Sequence, residues 1–198
     1  MKRVVLMALG LVAGAGLAAA DAPAFSVSYD QKTTMGREVT QSKVSMLDEL
    51  FRMETTMQGQ QSIIVHNEQG TFIVMPSEGM AMKTEIHPGQ GAVAGGDNYG
   101  QYLQQQQAQK TGSETVDGHD CDIYQFTSAE GEATTAWVRT DIMFPVKLEV
   151  QSPQGKVLVE LSNIQLDAPV SRQDFELPAG VQVMDMGNMM GMGMGQRN

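Results

Sequence analysis

The stretch that decides the fold is residues 137–166, WVRTDIMFPVKLEVQSPQGKVLVELSNIQL. Apolar side chains recur at every second position on either side of a short turn, at Val146, Leu148, Val150, Val157, Val159 and Leu161. Polar residues such as Lys147 and Glu149 fill the positions between them. Because residues two apart lie on the same face of a strand, this pattern predicts two strands that share one apolar face. Pro153-Gln154-Gly155 is typical of the turn that joins them.

The same period of two runs through most of the chain upstream. It begins near Ala24, and turn residues interrupt it at residues 58–59, 67–70 and 76–79. It returns after residue 111, with a further turn at Asp117-Gly118. About ten short strands with brief polar turns predict a mainly β fold built on one large antiparallel sheet. A sheet of that size must curl over its own apolar face, so we expect a curved sheet that forms a barrel or half-barrel with an apolar hollow.

One segment departs from the strand pattern. Residues 87–100 contain five glycines and one proline, which is typical of a loop. The glutamine-rich segment that follows predicts a helix over Gln101–Lys110. The loop and helix form either a lid over the sheet or a plain crossover between its two halves.

The N-terminus has the layout of a secretory signal peptide. Lys2 and Arg3 precede an apolar run from Val4 to Leu17, and small alanines follow. The apolar run is shorter than the ~20 residues of a membrane-spanning helix. We therefore predict cleavage after Ala20, with Ala22 as the alternative, and location in a bacterial periplasm. The folded domain is then residues 21–183, and we expect it to be a monomer that does not span the membrane.

Charge and composition exclude several classes of function. The net charge of −10 argues against nucleic-acid binding, which requires a surplus of lysine and arginine. The three histidines, His66, His87 and His119, are scattered, and no nucleophile elbow or phosphate-binding loop is present. The sequence thus predicts a protein that is not an enzyme.

The single cysteine, Cys121, allows no internal disulfide. It lies in the segment GHDCDIYQF, next to a strand-like alternation. It is either a small buried residue or a thiol ligand for a metal, with His119 and Asp120.

Three motifs resemble those of the bacterial lipoprotein-carrier superfamily (LolA/LolB-like), including its exported members of unknown function. They are the strand pair GSETVDGHDCDIY at residues 112–124, the unit at residues 137–157 with its Phe-Pro step, and the closing segment DFELPAGV at residues 174–181. The likeness covers residues 111–183. It implies a half-barrel whose apolar face is closed by helices and accommodates an acyl chain of a lipid or lipoprotein.

Methionine supports an apolar cavity independently, because its flexible side chain adapts to variable apolar shapes. The residues predicted to line the cavity are Met46, Met53, Met75, Met82 and Trp137. The alternative is that the methionines simply fill the core.

The last fifteen residues, MDMGNMMGMGMGQRN, predict a disordered tail over residues 184–198, because glycine at every second or third place opposes a helix or strand. Thioethers are soft ligands that select Cu(I). The candidate ligands are Met189, Met190, Met192 and Met194, with Met184 and Met186 in reserve and Asp185 as an oxygen donor. Otherwise the tail consumes oxidants or has no function.

The sequence therefore leaves three hypotheses open. The first is a periplasmic carrier-like protein that binds an apolar or acyl ligand and needs no cofactor. The second is Cu(I) binding by the tail. The third is a structural or interaction module that pairs with a partner through an open sheet edge.

Overall fold

The computed structural model describes residues 25–57, 59–85, 99–128, 131–153 and 155–185, and the structural statements that follow refer to these residues. They form twelve strands, one α-helix and two short 3-10 helices. The strands are β1 (Ser26–Met35), β2 (Glu38–Leu47), β3 (Leu50–Met57), β4 (Gln60–Asn67), β5 (Gly70–Met75), β6 (Met80–Thr84), β7 (Gln109–Val116), β8 (His119–Thr127), β9 (Ala133–Arg139), β10 (Phe144–Ser152), β11 (Gly155–Leu166) and β12 (Gln182–Asp185). The helix is α1 (Tyr99–Gln105), and the 3-10 helices are Pro76–Glu78 and Arg172–Phe175.

All twelve strands belong to one curved sheet, in the order β12-β6-β5-β4-β3-β2-β1-β11-β10-β9-β8-β7. Every neighbouring pair is antiparallel except β12 and β6, which are parallel. The sheet stays open, with β12 and β7 at its edges. The predicted mainly β fold with a large curved sheet is confirmed.

The predicted hairpin turn between β7 and β8 is confirmed in detail. Asp117 and Gly118 both have positive φ, at 48° and 82°. This conformation matches the twist of the two flanking strands and is the one that Asp-Gly favours.

Local irregularities bend the C-terminal half of the sheet. The register shifts between β1 and β11, between β9 and β10, and between β7 and β8. In β10 the extra residue is Val146, because Pro145 pairs with Val138 and Lys147 pairs with Trp137. Bulges of this kind increase twist and curvature.

The two faces of the sheet have different surroundings. We call the side that α1 packs against the helix face and the opposite side the outer face. The main core lies on the helix face, where Tyr99 and Leu103 of α1 pack with strand residues. Those strand residues are Val27, Tyr29, Val44, Phe126, Ala136, Val138, Phe144, Leu148, Val159 and Leu161.

The outer face carries two smaller apolar clusters. One consists of Ile63, Val65, Phe72, Val74 and Ala81, with Leu177 and Val181 of the C-terminal segment packed on it. The second, built around Cys121, Trp137 and Val146, lies on the other half of the sheet. The bulge explains why Val146 does not share a face with Leu148, so that part of the predicted alternation is wrong.

The helix is shorter than predicted and begins earlier. Tyr99 is its first described residue and is buried in the core, and Gln105 is its last residue. Gln107 then takes a left-handed conformation with φ at 54°. The Ala108 amide donates to the Leu103 carbonyl at 2.8 Å and the Gln107 amide donates to the Gln104 carbonyl at 3.0 Å, which is a Schellman termination. The predicted end at Lys110 is therefore wrong, since Lys110 lies in β7.

The sheet also extends into the predicted tail. Met184 and Asp185 belong to β12 and pair with Met82 and Lys83 of β6, so the sheet includes the first two residues of the predicted tail. The signal peptide, most of the predicted 87–100 loop and residues 186–198 lie outside the described residues. In the described ranges no helix has the length and hydrophobicity needed to cross a membrane.

Candidate functional site

A row of apolar side chains crosses the helix face at one level of the sheet. Directly paired residues on adjacent strands point to the same side, and the pairing links Tyr29, Val44, Met53, Ile64, Ile73, Met82 and Met184 in that order. The row runs from β1 through the N-terminal strands to the edge strand β12. The sheet thereby gathers side chains that are far apart in sequence into one surface.

Burial changes along this row. Tyr29 and Val44 are buried in the core with α1, whereas every side chain from Met53 onward is only half-buried. We call this half-buried part the methionine surface, and it consists of Met53, Ile64, Ile73, Met75, Met80, Met82 and Met184. On the opposite side of β4 to β6, the outer-face cluster is buried, and Leu177 and Val181 of the C-terminal segment pack on it. The methionine surface is thus the apolar part of the helix face that the described core leaves partly accessible.

The methionine surface carries no formal charge among the described residues. The remaining helix-face positions of β4, β5, β6 and β12 are Gln60, Ser62, His66, Thr71, Thr84 and Gln182. His66 and Thr71 are hydrogen-bonded to each other at 2.8 Å between Nδ1 and Oγ1. The charged residues of this half of the sheet, such as Arg52 and Lys83, lie on the outer face. An uncharged apolar surface favours apolar ligands over ionic ones.

Four of the five residues predicted to line a cavity share this side of the sheet. Met53, Met75 and Met82 belong to the methionine surface, and Met46 lies one level away, opposite Phe51, and packs against the main core. The sequence-based set omitted Ile64, Ile73 and Met80. The pairing register, which the sequence does not show directly, brings these residues beside the others.

Trp137 does not lie with the methionines. It pairs with Ile123 and Lys147 on the outer face, where it packs against Cys121 and Val146. Its indole Nε1 donates to a Glu114 carboxylate oxygen at 2.9 Å. The Lys147 ammonium sits 4.0 Å from the centre of the ring, a cation–π contact. Trp137 and Val138 point to opposite faces of β9, so Trp137 lies on the other side of the sheet from the predicted methionines. Its role in lining a cavity stays a prediction.

Cys121 is a buried residue of the outer-face cluster, at 1% exposure. Burial raises the pKa of its thiol above the usual range. The thiol donates weakly to the carbonyl oxygen of His119 at 3.5 Å. The described ranges contain no group of three or more His, Cys, Asp or Glu residues arranged to hold a metal. Of the two interpretations of this cysteine, the buried one is confirmed.

Tyr99 anchors the start of α1 beside the methionine surface. Its ring lies 5.5 Å from that of Tyr102, which in turn meets Phe126 edge-on at 5.8 Å. The Tyr99 hydroxyl is buried, and no described residue forms a hydrogen bond with it. Burial raises the pKa of this phenol well above its ordinary value.

A separate groove of about 570 Å³ lies on the outer face of β1 to β4. It is polar, and Asp30, Lys43 and Glu54 are among the residues that line it. Lys32 in the same groove forms an ion pair with Glu160 at 2.8 Å. Its mixed and partly paired charges are typical of a solvated sheet surface.

The tail residues predicted to bind Cu(I), Met189, Met190, Met192 and Met194, lie outside the described residues, as does Met186. Met184, held in reserve for that site, lies instead on the methionine surface. The metal hypothesis for the tail therefore stays a prediction.

Comparison with known proteins places this fold in a class of curved-sheet proteins. A crystal structure of an uncharacterised conserved protein from Thermus thermophilus aligns with a TM-score of 0.58 at 12% identity, over 81% of this chain and 90% of that chain. MucB in the MucA/MucB complex of Pseudomonas aeruginosa aligns with a TM-score of 0.51 at 12% identity, over 81% of this chain and 58% of that chain. A LolA superfamily protein from Nitrosomonas europaea also aligns, with a TM-score of 0.39 at 14% identity, over 78% of this chain and 90% of that chain. The first two structures show that this fold occurs in proteins of low sequence identity to the chain.

Residues 28–143 match the family described as "Domain of unknown function (DUF4412)". The chain belongs to this family. A search of curated protein sequences found no match.

Proposed function

We propose that this protein is an exported, non-enzymatic binding protein that holds an apolar or acyl chain against its methionine surface. The observation that carries the proposal is the paired row from Met53 through Ile64, Ile73 and Met82 to Met184. This row presents an uncharged, half-buried strip across five adjacent strands. Strands lie about 4.8 Å apart, so five of them span roughly 19 Å, the length scale of a long acyl chain.

The contrast between the two faces of these strands supports the proposal. On β4 to β6 the outer face carries a buried cluster of β-branched and aromatic side chains such as Val65, Phe72 and Val74. The helix face of the same strands carries methionines, which have less strand propensity than valine or isoleucine. Flexible thioether side chains suit a surface that must fit chains of different shape.

The export part of the proposal rests on the sequence of residues 1–20. A periplasmic location fits a carrier of acyl chains, because lipid and lipoprotein acyl groups must cross water between membranes there. N-terminal sequencing of protein recovered from the periplasm should give a chain that starts at Asp21 or, with the alternative cleavage, at Pro23. Protein retained in the cytoplasm with Met1 in place would remove this part of the proposal.

Binding is tested with an environment-sensitive fluorescent fatty acid and three variants of the full chain beside the parent. Met82→Glu places a charge at the centre of the strip and should weaken binding by about tenfold or more, because a carboxylate would be desolvated beneath the ligand. Val39→Glu is the matched control, since Val39 is 56% exposed on the outer face. Met82→Leu keeps the surface apolar and should bind as the parent does.

The variants together separate binding from folding. Far-ultraviolet circular dichroism should give the same strand signal for all of them. The proposal would be contradicted if the parent and Met82→Glu bound the probe with equal affinity. It would also be contradicted if the parent did not change the fluorescence that the probe shows in water.

A protein partner is the second candidate, because MucB, whose fold is similar, was crystallised with MucA(peri). A methionine-rich surface also suits the side chains of a bound peptide. Native mass spectrometry of the gently purified protein distinguishes the two. A bound species that organic solvent extracts and that has the mass of a lipid supports the acyl ligand. A bound species that trypsin digests supports a polypeptide.

A further inference from the structure

We propose that Met75, Met80, Met82 and Met184 form a soft-metal site that binds Cu(I). The inference goes beyond the proposed apolar function, and it differs from Cu(I) binding by the tail because its ligands belong to the sheet.

The pairing register brings the four side chains together. Met75 of β5 lies directly opposite Met80 of β6, and Met82 of β6 lies directly opposite Met184 of β12. Met80 and Met82 are two residues apart on one strand and therefore point to the same side. Four thioethers thus occupy adjoining positions on three neighbouring strands at one edge of the sheet.

The spacing of such positions suits convergence on one small ion. Directly opposite residues have Cβ atoms about 5 Å apart, and diagonal neighbours lie within roughly 8 Å. A methionine sulfur lies two bonds beyond Cβ on a chain with three rotatable bonds. Three of the four sulfurs can therefore turn toward a common point above β6 without any change in the backbone.

The chemistry of the surroundings favours a soft monovalent cation. Thioether sulfur is an uncharged soft donor that prefers Cu(I) to hard cations such as Mg²⁺ or Ca²⁺. The described helix-face positions of β5, β6 and β12 contain no lysine or arginine to repel a cation. The chain as a whole carries a net charge of −10, which favours the approach of cations.

The presence of methionine, and not another apolar residue, at these positions also supports a metal site. The buried outer-face cluster of β4 to β6 packs with Ile63, Val65, Phe72 and Val74 and contains no methionine. Packing alone would be served equally by leucine or isoleucine on the helix face. Only sulfur distinguishes methionine from these residues as a ligand.

The experiment uses the full chain in four forms, titrated anaerobically with Cu(I) against a chromophoric Cu(I) chelator. The sheet variant carries Met80→Leu, Met82→Leu and Met184→Leu, and the tail variant carries leucine at 189, 190, 192 and 194. The control variant carries Met35→Leu and Met57→Leu, two exposed methionines elsewhere in the sheet. We expect the tail and control variants to keep one Cu(I) site of parental affinity, and the sheet variant to bind that ion at least about tenfold more weakly.

A sheet variant that binds Cu(I) as tightly as the parent would overturn the inference, and so would a parent that takes up no Cu(I). The fatty-acid probe is measured on the same sheet variant. Leucine preserves the apolar surface, so a sheet variant that loses Cu(I) binding and still binds the probe supports the metal site. A sheet variant that loses both has lost its fold, and this result contradicts the inference. Failure of the acyl-ligand proposal shows instead as absence of probe binding in the parent.

Discussion

The side-chain amide of Asn67 donates a hydrogen bond of 3.0 Å to the carbonyl oxygen of Phe175. The contact ties the β4–β5 turn to a segment 108 residues later in the chain. Around it, Phe175 is buried and Leu177 and Val181 cover the outer-face cluster of β4 to β6. Gly180, with φ at 83°, then turns the chain into β12. The segment DFELPAGV therefore acts as a clasp that covers the outer face and delivers Met184 to the helix face.

Removal of the Phe175 ring tests the clasp. Phe175→Ala should lower the free energy of unfolding by about 3 kcal/mol, because a side chain that is 1% exposed leaves a cavity when truncated. Val183→Ala, at a residue 51% exposed on β12, is the control and should change stability by less than about 0.5 kcal/mol. Urea unfolding followed by circular dichroism gives both values, and equal effects would show that the segment does not contribute to the core.

At the end of α1, the same glutamine-to-glycine substitution should change stability in opposite directions at two positions. Gln107→Gly should stabilise the protein by about 0.5 kcal/mol, because glycine takes the left-handed conformation at the Schellman position without the steric penalty that glutamine meets. Gln105→Gly, at an exposed helical residue, should destabilise it by about 0.5–1 kcal/mol. Thermal unfolding of the two variants checks the sign, and two shifts in the same direction would contradict the assigned helix end.

Much of this fold could be predicted from alternation and turn residues. Strands β1 to β5 and β8 to β11 follow a period of two, and the turns at residues 67–70 and 117–118 have the sequences that such turns require. Within a hairpin the turn sets the register of the two strands. The sequence could therefore predict that Met46 and Met53 lie on the same side of the sheet. These are local properties, and local patterns predict local structure well.

Features that depend on distant pairing could not be predicted. Strand β12 pairs with β6 across about a hundred residues, and its sequence, QVMD, adjoins a methionine–glycine tail that opposes regular structure. The bulge at Val146 reverses the facing of one residue; Pro145 just before it is compatible with a bulge but does not specify one. Alternation also shows that Trp137 and Val138 face opposite ways, but only the core that Val138 shares with α1 decides which of them lies on the helix face.

The placement of Trp137 makes it a reporter for the outer face alone. It is the single tryptophan in the chain, and its contacts are Glu114, Lys147 and the Cys121 cluster. Saturation with an apolar ligand on the methionine surface should therefore leave the wavelength of its emission maximum unchanged. Lys147→Met should shift that emission in the unliganded protein, because it removes the ammonium above the ring. A large ligand-induced shift in the parent would mean that the ligand binds on the outer face.

The thiol of Cys121 should be unreactive in the folded protein. The thiolate is the reactive form, and burial both blocks access and raises the pKa of this group. At mildly alkaline pH a disulfide reagent should modify the native chain far more slowly than the chain in concentrated urea. Fast modification in native buffer would contradict the burial of this residue, and the unfolded chain in the same assay is its own control.

The clasp should also depend on pH through Asp174. Its carboxylate accepts hydrogen bonds from the backbone amide of Ser171 at 2.7 Å and from the Ser171 hydroxyl at 3.0 Å, and these contacts lower its pKa. Because the folded-state pKa lies below the unfolded value, Asp174 stabilises the clasp above its ordinary pKa near 3.8 and loses this effect as pH falls through the lower folded value.

Asp174→Asn removes the charge at all pH values. The difference in unfolding midpoint between the parent and this variant should be largest near neutral pH and should shrink below about pH 3. A constant difference across that range would mean that the charge of Asp174 does not hold the clasp, and direct titration of its carboxyl carbon by NMR gives the folded-state pKa independently.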